Sequence, residues 1–337
     1  MLNKMEKIDF VILWVDGNDP VWKAEKEKYQ GKKNDSSTSE NRFRDWDLLK
    51  YWFRGVEKFA PWVNHIFFIT YGHIPEWLNI HHPKLKIVKH EDYIALQYLP
   101  TFNSNVIEIN LNKIKDLSEH FVEFNDDMYI INDVSPSDFF ERGLPKDECV
   151  ENIIIGNGTN EQYVHTLINN INIINRHFKK PKVIKQNIIK HINFRYGLRN
   201  IKSISLLFWD SFGGFSNPHL PISHLKSTFD TVWKEEEKVL TNTCSNKFRM
   251  NDDVSHWVFR YWNLCTHSFI PRNTKKFGKY FDINALNCKS ICNHVKGQNS
   301  KVVCINDSSM HYDYEKIKAE LIQSFDKILP NKSLFEK

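Results

Sequence analysis

The sequence is poor in cysteine and holds no long apolar run. Six cysteines, Cys149, Cys244, Cys265, Cys288, Cys292 and Cys304, are spread over 337 residues without a single CxxC pair. That is no disulfide framework, and free thiols in a reducing compartment are expected. Cys288 and Cys292, with His294 nearby, make half a zinc site at most, because a four-ligand pattern is missing. No stretch reaches the ~20 apolar residues of a membrane span. The start, "MLNKMEKIDFVILWVDG", carries a short apolar run broken by Asp16 rather than a signal peptide. The expected address is the cytoplasm, at most peripheral on the inner face of a membrane. Repeats and low-complexity tracts are missing, and so are base-reading motifs, which leaves nucleic acid off the list of expected partners.

Aromatic residues, by contrast, are plentiful, at 14% of the chain, which suits a well-packed core and argues against disorder. The net charge of +5 fits an anionic ligand or membrane surface without requiring one. "IDFVILWV" (8–15) reads as a buried strand ending at the turn "DGNDP". From Asp45 the apolar spacing turns helical, through Leu48, Leu49, Trp52, Phe53, Val56 and Phe59, and Pro61 stops it. "HIFFIT" (65–70), "KLKIV" (84–88) and "HFVEF" (120–124) read as further strands. Strand, helix, strand, short helix, strand is the rhythm of an α/β fold with a Rossmann-like, mostly parallel sheet. "SISLLFWD" (203–210) reads as strand, and "NDDVSHWVFRYWNL" (251–264) as a helix capped at Asn251 and Asp252.

Between "HFVEF" and the apolar run Met128–Ile131 stand Asn125, Asp126 and Asp127. Charges cost several kcal/mol to bury unless paired or metal-bound. The pair therefore sits at an exposed turn, in ion pairs, or around a cation. In a doubly wound sheet ligands bind beyond the carboxyl ends of the strands, where this pair and "WVDGND" both fall. A strand-end acidic pair resembles the Mg²⁺ or Mn²⁺ site of nucleotide-sugar transferases, since hard cations take oxygen ligands; a solvated turn is the plainer reading. His219, between prolines in "NPHLP", is a candidate general base or covalent nucleophile, or an ordinary loop histidine. Arg249 suits a phosphate clamp, or a salt bridge to Asp252 or Asp253.

Four ordered blocks carry a more specific signal. They are "KIDFVILWVDGNDPVW"; a long block from "RFRDWDLLKYWFRGVEKFAPWVNHIFFITYGHIPEWL" through "LPTFNSNVIEINL" to "LSEHFVEFNDDMYI"; "PHLP" with "KFRMNDDVSHWVFRYW"; and "CINDSSMHYDYEKIKAELIQSFDKILPNKSLFE". Together they resemble the Stealth family, which includes bacterial capsular and cell-wall polysaccharide phosphotransferases and the eukaryotic N-acetylglucosamine-1-phosphotransferase α/β subunits. The resemblance implies transfer of a sugar 1-phosphate from a nucleotide sugar, a UDP-hexose or UDP-N-acetylhexosamine, to a hydroxyl of a growing lipid-linked oligosaccharide. It implies Mg²⁺ or Mn²⁺ held by Asp126, Asp127, Asn306 and Asp307, with His311 beside them. His219, Arg249 and Asp127 become catalytic candidates, and Asp16, Asp19, Arg44, Asn103 and Asn105 donor-binding ones. Asp16 stands where eukaryotic members carry Asn, so it suits a turn better than an obligatory charge.

The expected organisation is one catalytic domain over residues 1–337. It comprises an N-terminal α/β half (6–140), a helical, basic insertion (141–202) and a C-terminal half (203–337) that completes the site. The family blocks leave the insertion unexplained. Residues 176–202 carry nine Lys or Arg and no acid, and Ile184, Ile188 and Ile192 recur at the spacing of one helical face. Such a stretch is a surface helix packed by its isoleucines or a peripheral contact with an anionic membrane. Two other functions remain open: a metal-dependent glycosyltransferase attacking C1, and a noncatalytic carbohydrate-binding protein.

Overall fold

The computed structural model describes residues 6–30, 45–156, 158, 161–307 and 312–337. Strand β1 (Ile8–Leu13) is followed by helix α1 (Pro20–Gln30), with proline at its first position, where no backbone N–H is needed. Helix α2 (Leu49–Phe59) buries Leu49, Trp52, Phe53, Val56 and Phe59, the stripe expected from their spacing. Then come β2 (Ile66–Thr70), β3 (Leu85–Lys89), α3 (Ser104–Ile109), β4 (His120–Asn125) and β5 (Met128–Ile130). A short α4 (Pro136–Phe139) leads into β6 (Phe140–Glu141) and β7 (Leu144–Asp147).

A helical stretch follows, with α5 (Glu161–His177), α6 (Lys180–Gln186), α7 (Ile188–His191) and α8 (Asn200–Ser205). The chain re-enters the main sheet as β8 (Ile222–Leu225) and continues through α9 (Lys226–Glu235), α10 (Glu237–Ser245) and α11 (Trp257–Cys265). Its last part holds β9 (Ile270–Pro271), α12 (Thr274–Phe277), β10 (Gly278–Asp282), α13 (Cys288–Lys296), β11 (Val302–Asn306) and α14 (Tyr314–Ile328).

The main sheet has the order β3-β2-β1-β4-β8. Its first four strands are parallel and β8 is antiparallel to β4. This is the Rossmann-like α/β arrangement. Both faces are covered, so the central strands are mostly apolar, and the charges they do bury, Asp9 on β1 and Glu123 on β4, are hydrogen-bonded. Phe10, Ile12, Phe68 and Phe124 pack on one side with α2, while Val11, Phe67, Ile69 and Phe121 pack on the other with α9 and α11.

A second sheet, β10-β11-β5, joins the end of the chain to its first half. Gly55 marks the approach of α2 to this sheet, because a Cβ there would lie 2.5 Å from the Ile130 carbonyl oxygen.

Register determines which loops meet. Leu13 lies opposite both Ile69 and Asn125, so β1, β2 and β4 end together. Because β8 runs the other way, with Ile222 opposite Glu123, the loop that precedes it also arrives at this end.

Three sequence expectations are corrected. Residues 203–210 are not a strand: α8 ends at Ser205, and Phe208 and Trp209 lie exposed, with no strand among the described residues to pair with. Helix α11 begins at Trp257 rather than beside Asn251 and Asp252. The loop ahead of it is held by buried Asp253, which accepts the Met250 backbone N–H.

The third correction concerns the single isoleucine face, which does not form. The helix breaks at Asn187, leaving Ile184 buried and Ile188 exposed. Acids from elsewhere offset part of the basic run. Lys180 is buried against Glu151 at 2.8 Å, Arg199 pairs with Glu148, and Arg176 with Glu236 at 2.7 Å. All six cysteines are free and buried. Among the described residues no helix is long and apolar enough to cross a membrane.

Candidate active site

Asp126 and Asp127 form the tight turn between β4 and β5, each strand belonging to a different sheet. The turn is pinned at both ends. The Tyr129 hydroxyl donates to the Asp126 carbonyl at 2.8 Å, and the Ile305 N–H donates to the Asp127 carbonyl at 2.9 Å. His219, on the loop entering β8, places Nε2 3.1 Å from Asp127 Oδ2, and the Cys304 thiol donates to the same oxygen at 3.2 Å. The other oxygen, Asp127 Oδ1, is buried with no hydrogen-bond partner.

Burial opposes charge on both members of this pair. The attraction between the Asp127 carboxylate and the His219 ring, with their hydrogen bond, outweighs it, so Asp127 is held below the usual carboxylate range and His219 above the usual imidazole one. Asp126 behaves oppositely. The surrounding protein, then the Asp127 and Asp45 carboxylates, push it upward; its side chain opens to solvent, and water there weakens the push. Asp45 is itself raised, by burial first and also by Asp47 and Asp16. Asp16, Asp45, Asp126 and Asp127 thus build up negative charge at the shared strand ends.

These residues fit a divalent cation in part. Asp127 Oδ1 and the Asp126 carboxylate are the hard oxygen donors such an ion takes, and its charge would relieve the repulsion between them. The Cys304 thiol, raised by burial and then by Asp127, is a proton donor here and not a thiolate ligand. Asn306 faces β10, its amide donating to Asp282 Oδ1 at 2.6 Å and to the Tyr280 hydroxyl at 3.1 Å. Asp307 accepts from the Tyr312 hydroxyl at 2.6 Å. Arg44 and His311 lie outside the described residues.

A cleft of about 470 Å³ opens beside this cluster, a size that accommodates a nucleotide-scale ligand. His219, Arg249, Asn105, Asn125, Tyr280 and Asn306 line it, and so do Gln162, Tyr163 and Thr166 from the first turns of α5. The helical stretch, read as an unexplained insertion, therefore supplies one wall.

Arg249 donates to the Ser104 hydroxyl and pairs with neither Asp252 nor Asp253. Its loop is moored by Asn103, whose buried amide donates to Asp253 Oδ2 at 2.7 Å and to the Phe248 carbonyl at 3.2 Å. Asn103 thus spends its side chain inside the protein. Asn105 reaches the same Asp253 oxygen at 3.1 Å while lining the cleft. Asp16 accepts from the Asn18 N–H at 2.8 Å, and Asp19 caps α1 through the Trp22 N–H at 2.7 Å. Both are turn residues, and neither is among the residues lining the cleft.

Sequence reasoning missed the cluster beneath the cleft. Glu123 on β4 accepts from His256 Nδ1 at 2.7 Å and His224 Nε2 at 2.9 Å, and Glu108 lies 3.3 Å from the same His256 nitrogen. Burial opposes the His256 charge, but Glu123 and Glu108 raise the ring to about 9, while Glu123 is pulled down to about 2. The available signal was a glutamate in the middle of the apolar strand "HFVEF", which needs a buried partner.

Family models describe two segments of the chain: Stealth protein CR1, conserved region 1, matches residues 6–34, and Stealth protein CR2, conserved region 2, matches residues 42–147. The chain is 46% identical over its full length to the full length of a capsular polysaccharide phosphotransferase, WcwK, of Streptococcus pneumoniae. It is 41% identical to an exopolysaccharide phosphotransferase, cps2G, of Lactiplantibacillus plantarum, covering 98% of this chain and 96% of that one. Identity is also 41% to the receptor polysaccharide phosphotransferase WefC of Streptococcus gordonii, over 98% of this chain and 99% of the relative. Among solved structures it bears a loose likeness to the galactosyltransferase LgtC, with 9% identity, a TM-score of 0.40, and coverage of 94% of this chain and 95% of that one.

Proposed function

The chain belongs to the Stealth family of polysaccharide phosphotransferases, and from that premise we propose that it transfers a sugar 1-phosphate from a UDP-hexose or UDP-N-acetylhexosamine to a hydroxyl of a lipid-linked oligosaccharide at the inner membrane face. The observation that carries this reading is the Asp127–His219 pair, 3.1 Å apart, beside a cleft that Arg249 also lines.

In the proposed step the acceptor oxygen attacks the β-phosphorus of the donor. A phosphorus–oxygen bond to the acceptor forms, the bridging phosphorus–oxygen bond breaks, and UMP leaves. Asp127 holds one ring nitrogen of His219, leaving the other to take the acceptor proton. Arg249, permanently charged, screens the diphosphate. Asp126 and Asp127 Oδ1 would hold Mg²⁺ or Mn²⁺, which when bound neutralises phosphate charge. The sugar C1–O bond is untouched, so the donor's anomeric configuration is retained.

The test is product analysis of the purified protein with a panel of nucleotide sugars and an oligosaccharide acceptor. Release of UMP with a phosphodiester ³¹P resonance in the product supports the proposal. Release of UDP with a phosphorus-free linkage would make the enzyme a glycosyltransferase attacking C1. Failure to turn over any donor would favour a carbohydrate-binding role.

A further inference from the structure

The run from Phe178 to Trp209 contains eight Lys or Arg and no acid, and its exposed surface mixes these bases with large apolar side chains. Phe194 is 84% exposed, Leu198 85%, Phe208 94% and Trp209 58%. Helix α8 is inverted relative to an ordinary surface helix. It buries Ser203, whose hydroxyl accepts the Glu151 N–H at 3.0 Å, and exposes Ile201 and Ile204, one turn apart. Solvent-facing aromatics and aliphatics this dense mark an interaction surface.

The charge around the patch identifies the occupant. Lys182 and Lys185 on α6 are exposed and form no hydrogen bond or ion pair among the described residues. Arg195 donates to the Pro271 carbonyl at 2.8 Å and exposed Lys202 to Asn152 Oδ1 at 3.0 Å, while the nearby acids Glu148 and Glu151 are already paired with Arg199 and Lys180. A protein partner would have to match an irregular, predominantly basic surface, with exposed Asp210 at its border. An anionic bilayer offers both hydrocarbon for the rings and negative headgroups for the lysines.

We propose that residues 188–209 form a membrane-docking cap that seats Phe194, Leu198, Phe208 and Trp209 in the interface of an anionic bilayer. Lys182, Lys185 and Lys202 lie against its headgroups. Gly197, with φ of 56°, turns the chain between Phe194 and Leu198. The cap is tied to the active site, because Arg199 donates to the Ser216 hydroxyl, one residue before cleft-lining Asn217. Docking would hold the cleft near a lipid-linked acceptor; only this purpose, not the docking itself, rests on the function proposed above. Lys190 belongs to the fold rather than to the docking surface, since its ammonium donates to the carbonyls of His267 and Phe269 at 2.7 and 2.6 Å.

The experiment is flotation of the full chain with vesicles of phosphatidylcholine containing phosphatidylglycerol, and with phosphatidylcholine alone. The wild type is expected to float with the anionic vesicles and less so as salt rises. The Phe194→Ser/Leu198→Ser/Phe208→Ser variant should bind at least about tenfold more weakly. Lys182→Gln/Lys185→Gln should lose salt-sensitive binding while keeping its melting temperature. Transfer to a soluble acceptor should survive in both, so failed transfer with intact flotation would count against the proposed reaction and not the cap. If the wild type stays with the unbound fraction on every vesicle, the cap does not dock on membranes. Elution as a dimer that the apolar variant converts to monomer, without vesicle binding, would assign the patch to a second copy and overturn the proposal.

Discussion

Glu123 accepts a hydrogen bond from His256 at 2.7 Å with one carboxylate oxygen and from His224 at 2.9 Å with the other, where β4 meets the antiparallel strand β8. Removing its charge leaves His256 facing Glu108 alone. Glu123→Gln should therefore cost on the order of 3 kcal/mol, the usual penalty for breaking a buried pair. Urea denaturation at neutral pH measures this, and a loss under 1 kcal/mol would mean that the pair carries little of the fold's stability.

The same cluster predicts a pH dependence. His256 is raised in the folded state, so its contribution is fully present below the imidazole value of 6.5 and is lost as pH climbs through about 9. Glu123 is depressed, so its contribution is present above 4.5 and disappears as pH falls through about 2. Stability should decline between pH 6.5 and 9.5 in the wild type and stay flatter there in His256→Gln. Parallel profiles for the two proteins would show that His256 is not held as the cation.

Asp126→Asn and Asp127→Asn should each lower turnover by about 100-fold or more while the circular dichroism spectrum persists. Chelation by EDTA should do the same to the wild type, with Mg²⁺ or Mn²⁺ restoring activity. Undiminished turnover in EDTA, together with active variants, would remove the metal assignment.

His219→Ala should abolish transfer and leave donor binding by calorimetry nearly unchanged, because a base acts at the chemical step. Near-normal turnover would return His219 to an ordinary loop histidine. Recovery of a phosphosugar adduct on His219 of the wild type would select covalent transfer over base catalysis.

Gly55→Ala tests the packing of α2 on β5. With the new Cβ 2.5 Å from the Ile130 oxygen, a cost of about 1–3 kcal/mol is expected. An unchanged melting temperature would mean that α2 shifts freely against the second sheet.

Much of this protein is determined by sequence alone. Strands buried on both faces are dominated by apolar residues, and so β1, β2 and β4 are legible as short runs even though Asp9 and Glu123 interrupt them. Helix α2 shows in its periodic stripe, and the acidic turn at Asp126–Asp127 shows because charge interrupts two such runs. Local periodicity does not carry partnership. His219 meets Asp127 across 92 positions, and Asn103 meets Asp253 across 150. Nothing near any of these residues in the chain announces the other. The tertiary structure alone decided that Glu123 holds two histidines and that the regular isoleucine spacing of 184–192 breaks at Asn187. It also decided that Asn103 moors the Arg249 loop from inside the fold. Antiparallel β8 is the physical reason for the site itself, since reversing that one strand brings the His219 loop to the end of the sheet where the acids lie.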